Sequence, residues 1–348
     1  MSPLPASLPR ILPGIAHLTI GQSVTVAAVA TASALVCAVV TRSLIPVLAR
    51  RGVLDHPNER SSHVVATPRG GGIAPVGTIL LAWLALGLSG EAPPAIAAVL
   101  CATLLLAVVC WLDDLRDLSP LTRLAAQAAA VAVGLWVFPH HGLLPRVGTV
   151  AAFVTLGLLW MWWINLFNFM DGIDGLAGSE AAMIGGGLLL LATLGRGFDP
   201  AAAALAAAIC GAALGFLCWN WSPARVFLGD VGSVPLGYLT GFLLIAAMVR
   251  GHWMAALILP LYFLADATLT LGRRLLRGEK IWEAHRQHYY QQALRGGLGH
   301  AAVVKRVIAV GLLLIGCSWA AENGWGWGGL AVAAIAVAAL LASLAHAR

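Results

Sequence analysis

Charged side chains are scarce in this sequence of 348 residues. Asp, Glu, Lys and Arg make up 10% of it, whereas hydrophobic residues make up 60%. A soluble globular domain carries roughly 25% charged residues, so a chain this apolar could not keep its surface solvated. The composition therefore excludes an ordinary soluble protein and predicts that most of the surface faces lipid.

Cysteine is present, but its spacing does not suit metal binding or disulfide formation. The six cysteines lie in or beside apolar runs and form no Cys-x-x-Cys pair. Such residues usually serve as small core side chains, so we expect neither disulfides nor zinc. The N-terminal residues lack a convincing basic region and cleavage site, and we do not interpret them as a removed signal peptide.

Eleven apolar segments fill most of the chain. About 20 apolar residues suffice for a helix to cross a bilayer. The sequence therefore predicts an all-α, polytopic transmembrane bundle that forms a single domain over residues 1–348. The segments are 24–48, 72–90, 93–112, 120–138, 148–166, 179–195, 201–219, 233–250, 253–272, 303–320 and 327–345.

The loops after the odd-numbered segments carry most of the basic residues. With their flanks they hold fifteen Lys and Arg, against three in the other loops. The positive-inside rule places the first set in the cytoplasm, with the N-terminus outside and the C-terminus inside. This bias also explains the net charge of +6 without a nucleic-acid partner.

The polar clusters of the sequence lie in the same set of loops. A transporter would be expected to keep polar groups near the bilayer midplane, on broken helices. Chemistry at one interface instead favours an enzyme that meets a cytosolic substrate. A polytopic lipid or solute transporter is kept as an alternative.

Three acids follow the third apolar segment: Asp113, Asp114 and Asp117. Adjacent carboxylates near lipid are costly unless they meet a cation or a proton. Like charges this close either raise a pKa or attract a divalent ion. The cluster predicts a metal or base role, and the alternative is a polar helix end that anchors the span.

The loop after the fifth segment combines amides, carboxylates and glycines. It contains Asn165, Asn168, Asp171 and Asp174, with three glycines at 172, 175 and 178. Oxygen ligands of this kind suit Mg²⁺, and glycines let the backbone approach a ligand closely. The alternative is an Asx-rich turn between two spans.

Two further loops carry features of a phosphate site. Asp230 lies between two glycines at the start of a span, where N–H groups favour phosphate and an acid can hold a bridging metal; an N-cap is the alternative. In the loop 55–72, Arg60 and Arg69 could hold a diphosphate that the glycines 70–72 could admit. The alternative is a basic loop that touches lipid headgroups.

The long basic loop 273–302 is the fifth polar element. A basic amphipathic stretch often lies on the membrane surface, but the segment 283–288 looks more specific than that. Asp266, inside the ninth segment, is a functional candidate because it lies within a span. It could equally pair with Arg273, Arg274 or a neighbouring helix, and its role is left open.

These five elements, in this order, resemble the polyprenyl-phosphate N-acetylhexosamine-1-phosphate transferases of glycosyltransferase family 4. The resemblance runs from about residue 55 to 290. It rests on the aspartate pair, an Asn-x-x-Asn-x-x-Asp-Gly-x-Asp-Gly run from Asn165, and a Gly-Asp-x-Gly-Ser turn from Gly229. The family includes the phospho-N-acetylmuramoyl-pentapeptide transferase, bacterial initiators of O-antigen and teichoic acid linkage units, and a eukaryotic dolichyl-phosphate enzyme.

Two loops bear on the subgroup. The runs 56–63 and 68–72 are similar to O-antigen initiators that act on UDP-linked N-acetyl-6-deoxyhexoses. The segment 284–290 reads Ala-His-Arg-Gln-His-Tyr-Tyr and departs from the enterobacterial pattern of three histidines interrupted by one residue. This departure argues against a muramoyl-pentapeptide donor and leaves GlcNAc, FucNAc and QuiNAc open.

The resemblance implies a phosphoryl transfer at the bacterial inner membrane. Undecaprenyl phosphate would attack the β-phosphorus of a UDP-N-acetylhexosamine, and UMP would leave. The lipid-linked product would start O-antigen or another envelope polysaccharide. A homodimer is left open. A CDP-alcohol phosphatidyltransferase is a further alternative, but its signature needs Ala-Arg soon after Asp-Gly, and Leu-Ala-Gly follows Asp174-Gly175 here.

The matched positions imply roles for individual residues. Asn168 and Asp230 would bind Mg²⁺, for which Mn²⁺ can substitute. Asp113 would hold or deprotonate the lipid phosphate, or shape the outer shell of the metal. The other candidates are expected to act in catalysis, in phosphate or nucleotide binding, or in ordering the loops. They are Asn58, Arg60, Arg69, Asp114, Arg123, Asn165, Asp171, Asp174, His285, Arg286 and His288.

Overall fold

The computed structural model describes residues 18–57, 65–116, 118–138, 148–194, 199–280 and 285–347. This part of the chain folds into α-helices and one small two-stranded sheet. The helices are α1 (Ile20–Arg50), α2 (Ile73–Leu88), α3 (Ile96–Arg116), α4 (Pro120–Trp136), α5 (Thr149–Phe169), α6 (Leu176–Leu194), α7 (Pro200–Asn220), α8 (Asp230–Val249), α9 (Trp253–Ile258), α10 (Leu261–Leu276), α11 (Tyr289–Arg295), α12 (His300–Ala320) and α13 (Gly326–Ala345). The sheet pairs β1 (Leu54–Asp55) with β2 (Thr67–Pro68) in antiparallel register.

The all-α, polytopic architecture predicted from the sequence is confirmed. Within the described ranges, seven helical stretches are long and apolar enough to cross a membrane, and α2 is a shorter apolar helix. One of the seven is the 46-residue stretch of α12 and α13. A π-helical turn, Ala321–Trp325, with non-helical backbone at Asn323 and Gly324 divides it as the sequence predicted.

The ninth predicted segment, 253–272, is not one continuous helix. It is divided into α9 and α10 at Leu259 and Pro260. Proline has no backbone N–H and its ring clashes with the preceding turn, so the helical ladder stops there. The predicted loop 273–302 also contains the short helix α11, which the sequence analysis did not foresee.

Helix α8 is the centre of the bundle, since 17 of its 20 residues are buried. The Trp160 ring of α5 stacks on Tyr238 with centroids 4.8 Å apart. The Trp160 indole N–H donates to the Tyr238 carbonyl, and the Tyr238 hydroxyl donates to the carbonyl of Ala130 in α4. Aromatic packing with satisfied polar atoms therefore fixes α4, α5 and α8 together.

Small residues bring α1 and α7 close together. The Cα positions of Gly211 and Gly215 face the carbonyls of Ala30 and Ala34, where a β-carbon would have no room. The Trp219 indole N–H donates to the Ala38 carbonyl at 2.8 Å. Glycines four residues apart are a common means of close helix packing in lipid.

Candidate active site

The polar loops predicted to share one side meet at one end of the bundle. The loop before α2 lies against the residues that precede α8. The Gly71 N–H donates to the Phe227 carbonyl, and the Phe227 N–H donates to the Pro68 carbonyl, both at 2.8 Å. These bonds place Arg69 beside the first turn of α8.

The glycines of this loop have a different role from the predicted one. Gly70 and Gly72 are buried. A β-carbon on Gly72 would run into the Gly232 backbone, and one on Gly70 would meet the Trp111 ring. Gly70 also has a φ of +94°, which favours glycine. The glycines therefore allow two protein segments to touch, and protein atoms fill the space that we had expected a diphosphate to enter.

The side chain of Asp114 is fully buried and caps α8 from another helix. Its carboxylate accepts the Asp230 N–H at 3.2 Å and the Val231 N–H at 3.1 Å, and it lies 2.6 Å from Arg69 Nη2. The first residues of a helix leave N–H groups without partners, and the N-cap here, Gly229, has no side chain to supply. Both oxygens of Asp114 are engaged in these contacts, which hold the first turn of α8; its catalytic role stays a prediction.

Asp113 and Asp230 come together around arginine. Arg123 Nη1 lies 3.0 Å from Asp113 Oδ2 and 3.4 Å from Asp230 Oδ2. Arg69 Nη2 lies 3.5 Å from Asp230 Oδ1. The other Asp113 oxygen accepts the Leu118 N–H at 2.7 Å. The predicted convergence of acids from distant parts of the sequence is therefore confirmed for this pair.

Asn168, at the end of α5, reaches the same centre. Its side chain hydrogen-bonds to Asp230. Within the described residues, no three His, Cys, Asp or Glu side chains are grouped to hold a metal. An ion here would depend on the Asp230 carboxylate, the Asn168 amide oxygen and water. This oxygen set fits Mg²⁺, which keeps several waters and needs few protein ligands.

Asp171 lies in the loop between α5 and α6. Burial raises the pKa of its carboxyl well above the usual value, and the charge of Asp230 raises it further against the opposing effect of Arg69. Asp171 therefore keeps its proton at pH values where an ordinary aspartate has lost it. A neutral carboxyl can donate a hydrogen bond beside the carboxylates of the centre.

Asp174 anchors this loop. Its carboxylate lies 3.2 Å from His300 Nδ1 and accepts the Ala224 N–H at 3.1 Å. Burial would raise its pKa, but the bond and charge of His300, with bonds from Ala224 and Ser222, hold the pKa below the usual value. Of the two predicted roles, nucleotide contact or ordering of the loop, these contacts support the second.

Asp266 is fully buried and holds the start of α11. It accepts the Tyr289 N–H at 3.0 Å and the Tyr290 N–H at 3.2 Å, and one oxygen lies 3.2 Å from His288 Nδ1. Of the partners that the sequence left open, Asp266 thus pairs with a neighbouring helix. His288 is itself 2% exposed, which corrects its predicted substrate contact to a structural one.

The arginines of α10 that we considered as partners of Asp266 point elsewhere. Arg274 Nε lies 2.8 Å from the Glu279 carboxylate, and Arg273 lies over the Tyr289 ring. Helix α11 also packs on the Asp-Gly loop, since the Tyr290 hydroxyl donates to the Phe169 carbonyl at 3.1 Å. The fifth loop thereby supports the segment that follows Asn168.

His285 and Arg286 lie half-buried on the segment before α11. Burial, together with the charges of His288 and Arg274, lowers the pKa of His285 to about 4. Its Nδ1 accepts the Gln287 N–H at 3.3 Å, which leaves the proton on Nε2. At neutral pH His285 is thus an uncharged donor, not a cation for phosphate.

A cleft of about 420 Å³ opens beside the acids and arginines. Asn165 lies at its polar end, where its amide nitrogen donates to Gln127 Oε1 at 2.8 Å. The cleft has a polar end and mainly apolar walls, and its exposed leucines face lipid. The polar lining residues are Arg123, Gln127, Asn165 and Asn168, and the apolar ones include Leu106, Val109, Leu124, Leu158, Met161 and Trp162.

Two residues of this centre escaped the sequence analysis. Gln127 pairs with the predicted residue Asn165, and His300 pairs with the predicted residue Asp174. Gln127 carried a usable signal, because a polar side chain in an apolar span needs a partner. His300 carried no such signal in the sequence. The predicted residues Asn58 and Arg60 lie outside the described ranges.

Comparison with known proteins decides the family. The sequence model of glycosyl transferase family 4 matches residues 96–248. A phospho-N-acetylmuramoyl-pentapeptide-transferase of Synechococcus sp. (strain JA-2-3B'a(2-13)) is 31% identical over an alignment that covers 86% of this chain and 92% of the relative. The chain belongs to glycosyl transferase family 4.

Other relatives of this family member are named for different substrates. A probable undecaprenyl-phosphate N-acetylglucosaminyl 1-phosphate transferase of Bacillus subtilis (strain 168) is 28% identical over 75% of both chains. A phospho-N-acetylmuramoyl-pentapeptide-transferase of Synechococcus elongatus (strain ATCC 33912 / PCC 7942 / FACHB-805) is 31% identical over 79% of this chain and 82% of its own.

Proposed function

We propose that this family 4 member transfers an N-acetylhexosamine-1-phosphate from a UDP-sugar to undecaprenyl phosphate and releases UMP. The observation that carries the proposal is the meeting of Asp113, Asn168 and Asp230 with Arg123 at the polar end of a lipid-facing cleft. A charged centre beside an apolar cleft suits a reaction between a water-soluble anion and an anionic lipid.

The cleft is suited to the lipid acceptor. Its walls are apolar, and Leu158 and Leu124 at its mouth are 64% and 42% exposed. A polyprenyl chain can lie against such a surface while its phosphate reaches Arg123. Arginine is well matched to phosphate oxygens because its planar guanidinium presents several donors.

Asp230 and Asn168 would hold the Mg²⁺ ion, for which Mn²⁺ can substitute. When bound, the ion would neutralise charge on the donor diphosphate. Arg69 and Arg123 lie on either side of Asp230 and would bind the two phosphate-bearing substrates from opposite directions. Phosphoryl transfer depends mainly on such positioning and charge neutralisation.

Asp113 would position Arg123 and the lipid phosphate. Its Arg123 contact is already made, and its second oxygen is held by the Leu118 N–H. A phosphate with a second pKa near 6 is mostly ionised at pH 7, so a strong base is little needed. Asp113 thus acts first as an orienting group, with proton transfer a secondary role.

The setting we propose is the bacterial inner membrane, with the site on the cytoplasmic face. The strongly basic loops lie at the end of the bundle that carries the site, and the Asp199–Arg250 pair belongs to the loops of the opposite set. The donor would be a UDP-linked GlcNAc, FucNAc or QuiNAc, and the product would start O-antigen or a related envelope polysaccharide. The loop 284–290 supports these sugars over a muramoyl-pentapeptide.

The test is transfer of label from a UDP-sugar to butanol-extractable lipid in purified, membrane-inserted protein. Asp230→Ala removes a proposed ligand of the metal, and Asp113→Ala removes the carboxylate that orients Arg123, so each should lower the rate by at least about a hundredfold. Asp199→Ala, at the opposite end, is the matched control and should keep most of the activity. Added UMP should reverse the labelling.

Two results would contradict the proposal. Near-normal transfer by Asp230→Ala would remove that residue from the reaction centre. Label that crosses the membrane without entering lipid would support a transporter, and transfer from a CDP-alcohol alone would support a phosphatidyltransferase. A screen of UDP-GlcNAc, UDP-FucNAc, UDP-QuiNAc and UDP-N-acetylmuramoyl-pentapeptide then identifies the sugar.

A further inference from the structure

A second polar cavity, also of about 420 Å³, lies at the end of α10 beside α11. We call it the arginine pocket. None of the described residues that line it is acidic. They are Thr270, Arg273, Arg277, Gln287, Gln292 and Arg295. Three guanidinium groups around one cavity favour the binding of an anion, although the nearby Glu279, which hydrogen-bonds to Gln287, offsets part of their charge.

The arginine pocket is separate from the proposed reaction centre. The two cavities share no lining residue. Helix α10 lies between them, with Leu271 lining the apolar cleft and Thr270, Arg273 and Arg277 lining the arginine pocket. Because residues three and four apart share a helix face, these last three form one row. An anion bound there would not be a substrate in the centre around Asp230.

Part of the pocket is built from ordered side chains. Arg273 lies over the Tyr289 ring, 4.6 Å from its centroid. The Gln292 side chain donates to the Gln287 carbonyl at 2.7 Å, and the Gln287 side chain donates to Glu279 at 2.9 Å. These contacts hold Arg273, Gln287 and Gln292 in place, whereas Arg277 and Arg295 are exposed and would become ordered when an anion binds.

The neighbouring surface of α10 is apolar and exposed. Leu269 and Leu276 are 47% and 90% exposed and lie four and three residues from Arg273, on the same side of the helix. Leu275 beside them is 63% exposed. The arginine pocket thus adjoins an apolar strip at the end of a membrane-associated helix, where the glycerophosphate group of a phospholipid meets its acyl chains.

We propose that the arginine pocket binds the phosphate of an anionic phospholipid headgroup, with the acyl chains along the leucines of α10. A soluble phosphate compound would use the arginines but not the leucines. A zwitterionic lipid would use the leucines, but its ammonium group would be repelled by three arginines. An anionic lipid matches both the charge and the apolar strip.

The experiment counts bound lipid on the full-length protein in detergent, by native mass spectrometry, as phosphatidylglycerol or phosphatidylcholine is added. The Arg277→Gln/Arg295→Gln variant should bind phosphatidylglycerol about 30-fold more weakly, as expected for two basic residues near a lipid surface. The control Lys305→Gln/Arg306→Gln makes the same change in net charge on α12 and should bind like wild type. Arg277→Lys/Arg295→Lys should retain most of the affinity and guards against a folding defect.

The outcomes separate the alternatives. Weaker binding of phosphatidylglycerol by Arg277→Gln/Arg295→Gln alone supports the lipid site. Equal weakening in the α12 control would show a general charge effect and overturn it. Displacement of phosphatidylglycerol by inorganic phosphate at equal concentration would overturn it in favour of a free-phosphate site. Equal binding of phosphatidylcholine would also overturn it. Because lipid binding is measured, the result does not depend on the proposed transfer activity.

Discussion

At the scale of single residues, Asp113 and Asp114 are neighbours in the chain with different surroundings. Asp113 faces Arg123, whereas Asp114 is enclosed and caps α8. The sequence predicted a metal or base role for this acidic cluster, but it could not show that Asp113 and Asp114 have different partners. Adjacent helical residues point about 100° apart, and which direction meets α8 depends on packing of helices more than 100 residues apart in sequence.

His285 allows a test by pH. Its pKa is about 4 in the folded protein, below the value near 6.5 of an exposed histidine. Between these values the unfolded chain binds a proton that the folded chain does not. The free energy of unfolding should therefore fall as pH drops from about 6.5 to 4, and rise again with pH.

The measurement is thermal unfolding of the purified protein in detergent at pH 7.5 and 5. His285→Gln should lose part of the stability difference between the two pH values, because its side chain does not titrate. His346→Gln, which alters an exposed histidine near the C-terminus, should behave like wild type. Parallel pH dependence in wild type and His285→Gln would contradict the assignment.

At the scale of secondary structure, the apolar helices were predictable and the short elements were not. Hydrophobic runs identified the long helices because lipid requires them. Helix α11 has only seven residues, and its start is held by Asp266, 23 residues earlier in the chain. The Gln291 side chain also accepts the His288 N–H at 3.3 Å, but this local bond gives no sign of the contact with Asp266. Pro260 explains the break before α10 and is visible in the sequence. The apolar run 253–272 is nevertheless long enough for one span, and for this reason we predicted a continuous helix.

The close contact between the loop before α2 and the start of α8 predicts that one methyl group added at Gly72 would disturb the site. Gly72→Ala would push the loop away from Gly232 and shift Arg69 from Asp114 and Asp230. Overpacking of this kind costs about 1–3 kcal/mol. We expect a lower melting temperature together with reduced transfer.

Gly77→Ala is the matched control within α2. A β-carbon there meets no atom within 4 Å, so the change should stay within about 0.5 kcal/mol of wild type. Thermal unfolding and transfer assays on both variants check the prediction. Equal behaviour of Gly72→Ala and Gly77→Ala would show that the close approach is not needed.

At the scale of the whole molecule, alternation of spans explains why distant acids meet. Each span takes the chain from one face of the membrane to the other, so the loops after odd-numbered segments lie at the same end of the bundle. The sequence could therefore predict which loops converge. It could not predict which side chains touch, since the pairing of Gln127 with Asn165 and of His300 with Asp174 depends on how the helices are arranged.

The same alternation predicts the orientation in the membrane. A fluorescent protein fused after the C-terminus should fluoresce, and alkaline phosphatase inserted in the loop at Glu91 should be active, because the positive-inside rule predicts that the first lies in the cytoplasm and the second outside. Enzyme activity of alkaline phosphatase fused at the C-terminus would reverse the assigned orientation. A phosphatase inserted at Arg277, on the opposite side from Glu91, is the matched control and should be inactive.

The bond between Asp174 and His300 has a consequence for biosynthesis. Every acid of the centre has been synthesised once Asp230 is added, yet His300, the partner of Asp174 in the Asp-Gly loop, comes 70 residues later, at the first residue of α12. A nascent chain released before that point contains the acids of the centre without their full support. Completion of the site is therefore delayed until nearly the entire polypeptide has been inserted.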